Sequence, residues 1–178
     1  TIREPQDDET IESDDSMTEV IAPDQGIVDS SAEVDTSLVD THAGSGKKRS
    51  DKPVAVVTGA ARRVGREIAL AMAARGLAVV VHHGTSTVEA NVLVNRIRSQ
   101  GGTAVAVSAD LRDPRAAAMT VFEAAAELGE VTTLINSAAV FQNRALPWID
   151  LYHCNVHLSV NLLAPIFLAQ QFIRQLGE

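Results

Sequence analysis

A short apolar strand runs into a glycine-bearing turn and then a helix, and a second apolar strand follows. Val54-Ala55-Val56-Val57-Thr58 is rich in β-branched residues, as in a strand covered on both faces. Gly59 and Ala60-Ala61-Arg62-Arg63-Val64-Gly65 come next, then a helical run Arg66–Arg75 with Ile68, Ala69, Met72 and Ala73 on one face. Gly76 stops that helix, and Leu77–His82 reads as a second strand. A β–α–β unit of about thirty residues admits few folds, because parallel neighbours need a crossover packed against the sheet.

The unit also implies a ligand. Gly59 lets the chain turn sharply out of the strand, and Gly65 lets the helix begin close to whatever binds there. The unpaired N–H groups and positive end of that helix favour a pyrophosphate. The competing reading is that both glycines serve only as turn residues. Cofactor choice turns on two features. NAD sites place an acid near the end of the second strand, whereas here the chain reads His82-His83-Gly84-Thr85-Ser86 with no carboxylate before Glu89. Arg62 and Arg63 lie in the loop, where a guanidinium can reach a 2′-phosphate. Both favour NADP(H). Ser86 with Glu89 also reads as a helix capping box.

The alternation continues. A helix carrying Ala90, Leu93, Val94 and Ile97 ends at Gly101-Gly102, and Thr103–Ala109 is a third strand with Asp110-Leu111 at its C-terminal end. The helix Arg115–Leu128 is predicted to bury Met119, Phe122 and Ala126, and Thr132–Ile135 is a fourth strand leading into Asn136-Ser137-Ala138-Ala139. A last helix spans about 148–176 with a break expected near Pro165. The fold class is therefore α/β: a Rossmann-type doubly wound parallel sheet, incomplete at about four strands. Ligands gather at the C-terminal strand ends of such sheets.

Charge divides the chain. The whole carries −8, yet residues 1–46 hold all their acids between Glu4 and Asp40 and a single base, Arg3, for −12, which leaves +4 for residues 47–178. Residues 1–46 contain no Phe, Trp or Tyr and only scattered aliphatics such as Ile11, Val20 and Leu38, too few to offset chain entropy. Residues 1–50 are expected to be a disordered acidic tail and linker, a solvated extension or a docking tail for a basic partner. Residues 51–178 form the dinucleotide-binding domain. Gly44-Ser45-Gly46-Lys47-Lys48-Arg49 resembles a phosphate loop but has Thr41 where the first glycine belongs and no strand before it. One cysteine, Cys154, fits a reducing compartment, and no run of ~20 apolar residues is evident. The acidic start resembles neither a secretory signal nor a transit peptide, so the expected location is the cytoplasm. His153, Cys154 and His157 look like a metal cluster, but beyond His153 and His157 on one helix face no third ligand of suitable spacing is evident, so no metal is expected. No basic stripe studded with aromatics points to nucleic acid.

From Pro53 to Gln175 the chain resembles the short-chain dehydrogenase/reductase family. The glycine motif stands as Thr58-Gly59-Ala60-Ala61-Arg62-Arg63-Val64-Gly65, with Arg63 at the usual middle glycine, which together with His82–Ser86 looks most like the pteridine reductase branch. The resemblance implies that Thr58, Gly59, Arg62, Arg63, Val64, Gly65, His83, Thr85, Ser86, Asp110, Leu111, Asn136, Ser137 and Ala138 border NADP(H), with Asp110 at the adenine. It implies that Asn161 is the helix asparagine of the catalytic tetrad and that Phe141 stacks on a planar substrate; Phe141 as simple core is the other reading. Thr85 and Ala139 depart from the branch, which often has arginine and serine there, and Ser137 replaces the second asparagine of the sheet motif.

The family reduces carbonyl compounds, or C=N bonds of pterin-like substrates, through a tyrosine acidified by a lysine four residues later. Lysine occurs only at 47, 48 and 52, and the one tyrosine, Tyr152, has Val156 four residues on. The expectation is thus the NADP-binding part of an oxidoreductase cut off at its C-terminal end: inactive alone, acting on a small molecule when complete, and a homo-oligomer with no nucleic-acid or membrane partner. The alternative is a non-catalytic dinucleotide-binding or interaction module.

Overall fold

The computed structural model describes residues 52–176. The acidic tail and linker, residues 1–50, including the Gly44–Arg49 segment, lie outside the described residues. Four strands, β1 (Val54–Val57), β2 (Ala78–His83), β3 (Ala104–Ser108) and β4 (Val131–Ile135), form one parallel sheet in the order β3-β2-β1-β4. Helices α1 (Arg63–Ala74) and α2 (Thr87–Ser99) connect β1 to β2 and β2 to β3. Helix α3 (Pro114–Ala126) carries the chain from β3 across to β4. After a short 3₁₀ turn at Leu146–Trp148 come α4 (Leu151–Leu158) and α5 (Ala164–Gln175), which form one helix through a π-helical stretch, Ser159–Leu163.

Every side chain of β1 and β2 is buried. Alternation sends Val57, Val79 and Val81 toward Ala69, Leu93, Val94 and Ile97 of α1 and α2. Val54, Val56 and Val80 face Ala117, Val121 and Ala125 of α3 and Ala164 and Leu168 of α5. This three-layer sandwich is the doubly wound fold expected from the sequence.

Three local expectations change. The α1 helix starts at Arg63, three residues early, because Arg63 takes a left-handed turn (φ 51°) that feeds directly into it. In α3 the buried residues are Ala117, Ala118, Val121 and Ala125, while Met119 is half-exposed. Small residues let the helix lie close on the sheet, and the longer methionine faces out. Pro165 does not break the last helix. A proline cannot donate to the carbonyl one turn back and clashes with it, and the wide turn just before it accommodates both. That continuous helix, Leu151–Gln175, is also the one among the described residues long and apolar enough to cross a membrane by length and composition, which the sequence reading did not anticipate. Its inner stripe, Val156, Ala164 and Leu168, is buried against the protein.

Candidate dinucleotide site

The strand order reverses between β1 and β4, and the loops after these strands meet there. Gly59 has φ 62°, and a Cβ on it would lie 2.8 Å from Ala138 Cα. Two independent reasons therefore require glycine: the left-handed turn and the approach of the β4 loop. Thr58, buried, ties the same loops together. Its Oγ1 accepts from Ser137 N–H and Ala138 N–H, both at 3.0 Å. The hydroxyl is thereby engaged within the protein, and Thr58 acts on the site by fixing its walls. Gly65 lies in the first turn of α1, where a Cβ would be 2.4 Å from Gly59 O. Without side chains at either position, the helix end packs onto the turn, and first-turn N–H groups at Val64 and Gly65 have no carbonyl within the helix to bond. That is a cradle for a phosphate.

Arg62 and Arg63 are both exposed at this end. Arg62 donates to Ser86 Oγ and lies 3.6 Å from Glu89 Oε1. This overturns the capping box: Ser86 is the N-cap residue of α2 but makes no capping bond, because its hydroxyl serves Arg62. Between the first turn of α1 and α2 lies an open groove of about 470 Å³ lined by Arg62, Arg63, Arg66, Glu89 and Arg96 among others. Four guanidiniums around one carboxylate suit a ligand carrying extra negative charge.

The remaining predicted residues sort by position. His83 is buried at the end of β2 with Nδ1 3.0 Å from Gly84 O, and Thr85 is exposed beyond it. Leu111 is a core residue, so only its backbone faces the loop after β3. Asp110 is exposed and held by Arg112, whose guanidinium donates at 2.6–3.0 Å and whose N–H donates to Oδ1 at 2.9 Å. These bonds hold the Asp110 carboxyl below its usual range. Asn136 is exposed at the end of β4.

Asn161 projects from the π-helical stretch and makes a two-way pair with Val140: Val140 N–H donates to Oδ1, and Nδ2 donates to Val140 O, both 2.9 Å. Four residues earlier on the same helix, His157 Nε2 accepts from Gln142 N–H at 3.1 Å. Phe141, held between these clamps, is 86% exposed, so it is not core. The contacts made by His157, Arg112 and His82 were not legible in the sequence. Among the described residues no His, Cys, Asp and Glu group could hold a metal ion; His153 instead pairs with Asp150 at 2.7 Å.

A parallel sheet with a strand-order reversal, a glycine turn and a helix end at that reversal defines a dinucleotide-binding protein of the Rossmann class. Residues 53–178 match the family described as short chain dehydrogenase. The chain belongs to the short-chain dehydrogenase/reductase family. It is 35% identical over 125 residues to an uncharacterized oxidoreductase from Methylorubrum extorquens, covering 70% of this chain and 50% of that protein. It is 31% identical to versicolorin reductase 1 from Aspergillus parasiticus, covering 75% and 51%. Among solved structures, FolM alternative dihydrofolate reductase 1 from Brucella canis, complexed with NADP, is 34% identical with a TM-score of 0.64, covering 72% and 51%. The chain thus spans about half the length of the curated relatives it matches.

Proposed function

We propose that this chain binds NADP(H) and orients it for hydride transfer in an oxidoreductase that reduces a carbonyl or a pterin-like C=N bond. The observation that carries the reading is the joint geometry of Gly59, Gly65 and the arginines. A phosphate cradle opens at the α1 end, Arg62 reaches Ser86 and lines a groove with Arg63, and no acid stands at the end of β2. Glu89, the first carboxylate after β2, lies in α2 and is 3.6 Å from Arg62. When bound, the nicotinamide supplies or accepts the hydride. This chain's own residues hold the cofactor, with Asp110 on the adenine side and Asn161 and Phe141 on the substrate side. Two features favour the pteridine reductase branch: Arg63 at the middle position of the glycine motif, and the likeness to FolM, whose structure holds NADP.

The test is a fluorescence titration of NADPH and NADH against the chain and two variants. Arg63→Ala should weaken NADPH by about tenfold or more and NADH little, since a charge-assisted contact to a phosphate is worth roughly 1.5–3 kcal/mol. Gly65→Asp should abolish both by filling the cradle and adding a like charge. Equal losses for the two cofactors in Arg63→Ala would refute the 2′-phosphate role.

A further inference from the structure

His82 sits at the centre of the strand ends, on β2 between β1 and β3, and only 2% of it is exposed. Val79, Val80 and Val81 of the same strand are buried as apolar residues, so a merely space-filling residue here need not be polar. Both ring nitrogens are in use. Nδ1 lies 3.2 Å from Gly59 N, which can only donate, so Nδ1 accepts. Nε2 lies 3.1 Å from Ala109 O, which can only accept, so Nε2 carries the proton. The ring is therefore neutral, in the Nε2–H tautomer, and burial holds its pKa below the usual histidine value.

The backbone of the same residue adds a second tie to the glycine turn, since Ala60 N–H donates to His82 O at 2.9 Å. On the β3 side, Ala109 N–H donates to His83 O at 3.1 Å. The two N–H groups that open the turn are thus both committed to His82, and the loop that carries Asp110 is tied to the same ring.

We propose that His82 is a positioning residue for the dinucleotide: its imidazole bridges the glycine turn and the β3 loop and fixes their separation, which sets the phosphate cradle against the adenine side. This rests on the NADP-binding reading above. The bridge serves parts of the cofactor common to NADPH and NADH, so its loss should weaken both alike, unlike loss of Arg63.

The test compares His82→Phe, which keeps a ring but no bonds, with His82→Asn and His82→Gln. Asn can place its oxygen near the Nδ1 position and keep Gly59; Gln reaches the Nε2 position and keeps Ala109. Expected dissociation constants for NADPH and NADH rise by about tenfold in His82→Phe and about threefold or less in His82→Asn, with Gln between, at matched folded fractions by circular dichroism. Should His82→Phe fail to fold, the ordering of Asn before Gln carries the test. Wild-type affinity in folded His82→Phe, or affinities that follow melting temperature rather than the retained bond, would overturn the proposal. Nitrogen-15 NMR of the wild-type chain without cofactor supplies a second readout. It should show a neutral His82 with the proton on Nε2, and a proton on Nδ1 would refute the bridge. If the NMR result holds while wild type binds neither cofactor, it is the NADP reading that fails.

Discussion

Arg63 bears two demands at once. Its φ of 51° lies where a Cβ crowds the following carbonyl, at a cost on the order of 1–2 kcal/mol, yet the family-like motif has arginine there instead of glycine. Retaining it is understandable if the guanidinium is needed in the groove it lines with Arg62 and Arg66. Arg63→Gly and Arg63→Ala both remove the guanidinium, but only glycine relieves the turn. The glycine variant should melt higher than the alanine variant, by about 1 kcal/mol in urea or thermal unfolding, while both lose preference for NADPH. Equal stability of the two would argue against strain at this position. His82 sets a pH dependence of opposite visibility. Its folded pKa lies below 6.5, mainly through burial and further through neighbouring His83, although the bond to Ala109 pulls it upward. The unfolded chain therefore binds the proton first as pH falls. The contribution to stability is fully present above 6.5 and is lost as pH falls from there through the lower folded value. The Asp110–Arg112 pair beside the β3 loop keeps its charges across that window, since Asp110 titrates below the usual carboxylate range. Urea midpoints between pH 7.5 and 5 should fall in wild type and flatten in His82→Asn.

Elements were legible where apolar spacing and glycine punctuation agreed. The α2 face of Ala90, Leu93, Val94 and Ile97 is buried as the sequence implied, and so is the apolar run of β1. The α3 face was misjudged because size stood in for burial: alanines that touch the sheet look featureless beside Met119. Similarly, Thr58, Gly59 and Gly65 could be picked from the motif, but the bond from Arg62 to Ser86 and the bridge of His82 could not. Both join residues more than twenty positions apart, and no local pattern encodes which strand ends meet. The helix through Ser159–Leu163 teaches the same lesson. Pro165 signalled an irregularity, and only the structure shows that it takes the form of a wide turn bearing Asn161. Asn161→Ala removes two bonds to Val140 in an exposed setting, so a loss of about 1 kcal/mol is expected. The Val140 amide should then exchange faster with solvent. Unchanged exchange would mean that His157 alone holds the segment through Gln142.

At the scale of the described domain, helices cover both faces of the sheet, but the β4 edge and an outer stripe of the last helix lie open. Strand β4 ends the sheet, pairing with β1 on one side, and among its groups Val131 O accepts from Gln175 Nε2 at 2.8 Å. Beside it, Leu158, Leu162, Ile166 and Ile173 of the last helix are all more than half exposed. The first three recur every four residues, so they make a stripe rather than scattered contacts. A contiguous apolar stripe next to an open strand edge favours association with another surface. The net charge of −8 resides as −12 in residues 1–46 and +4 in the rest, so repulsion between the domains themselves is weak. The chain is therefore expected to self-associate in a concentration-dependent way at micromolar levels and to bind a dye that reports exposed apolar surface. Ile166→Glu should shift light-scattering mass toward the monomer while leaving NADPH affinity unchanged, because Ile166 is exposed on the last helix and is not among the residues lining the arginine groove. A wild-type chain that stays monomeric at several hundred micromolar would refute association through this stripe.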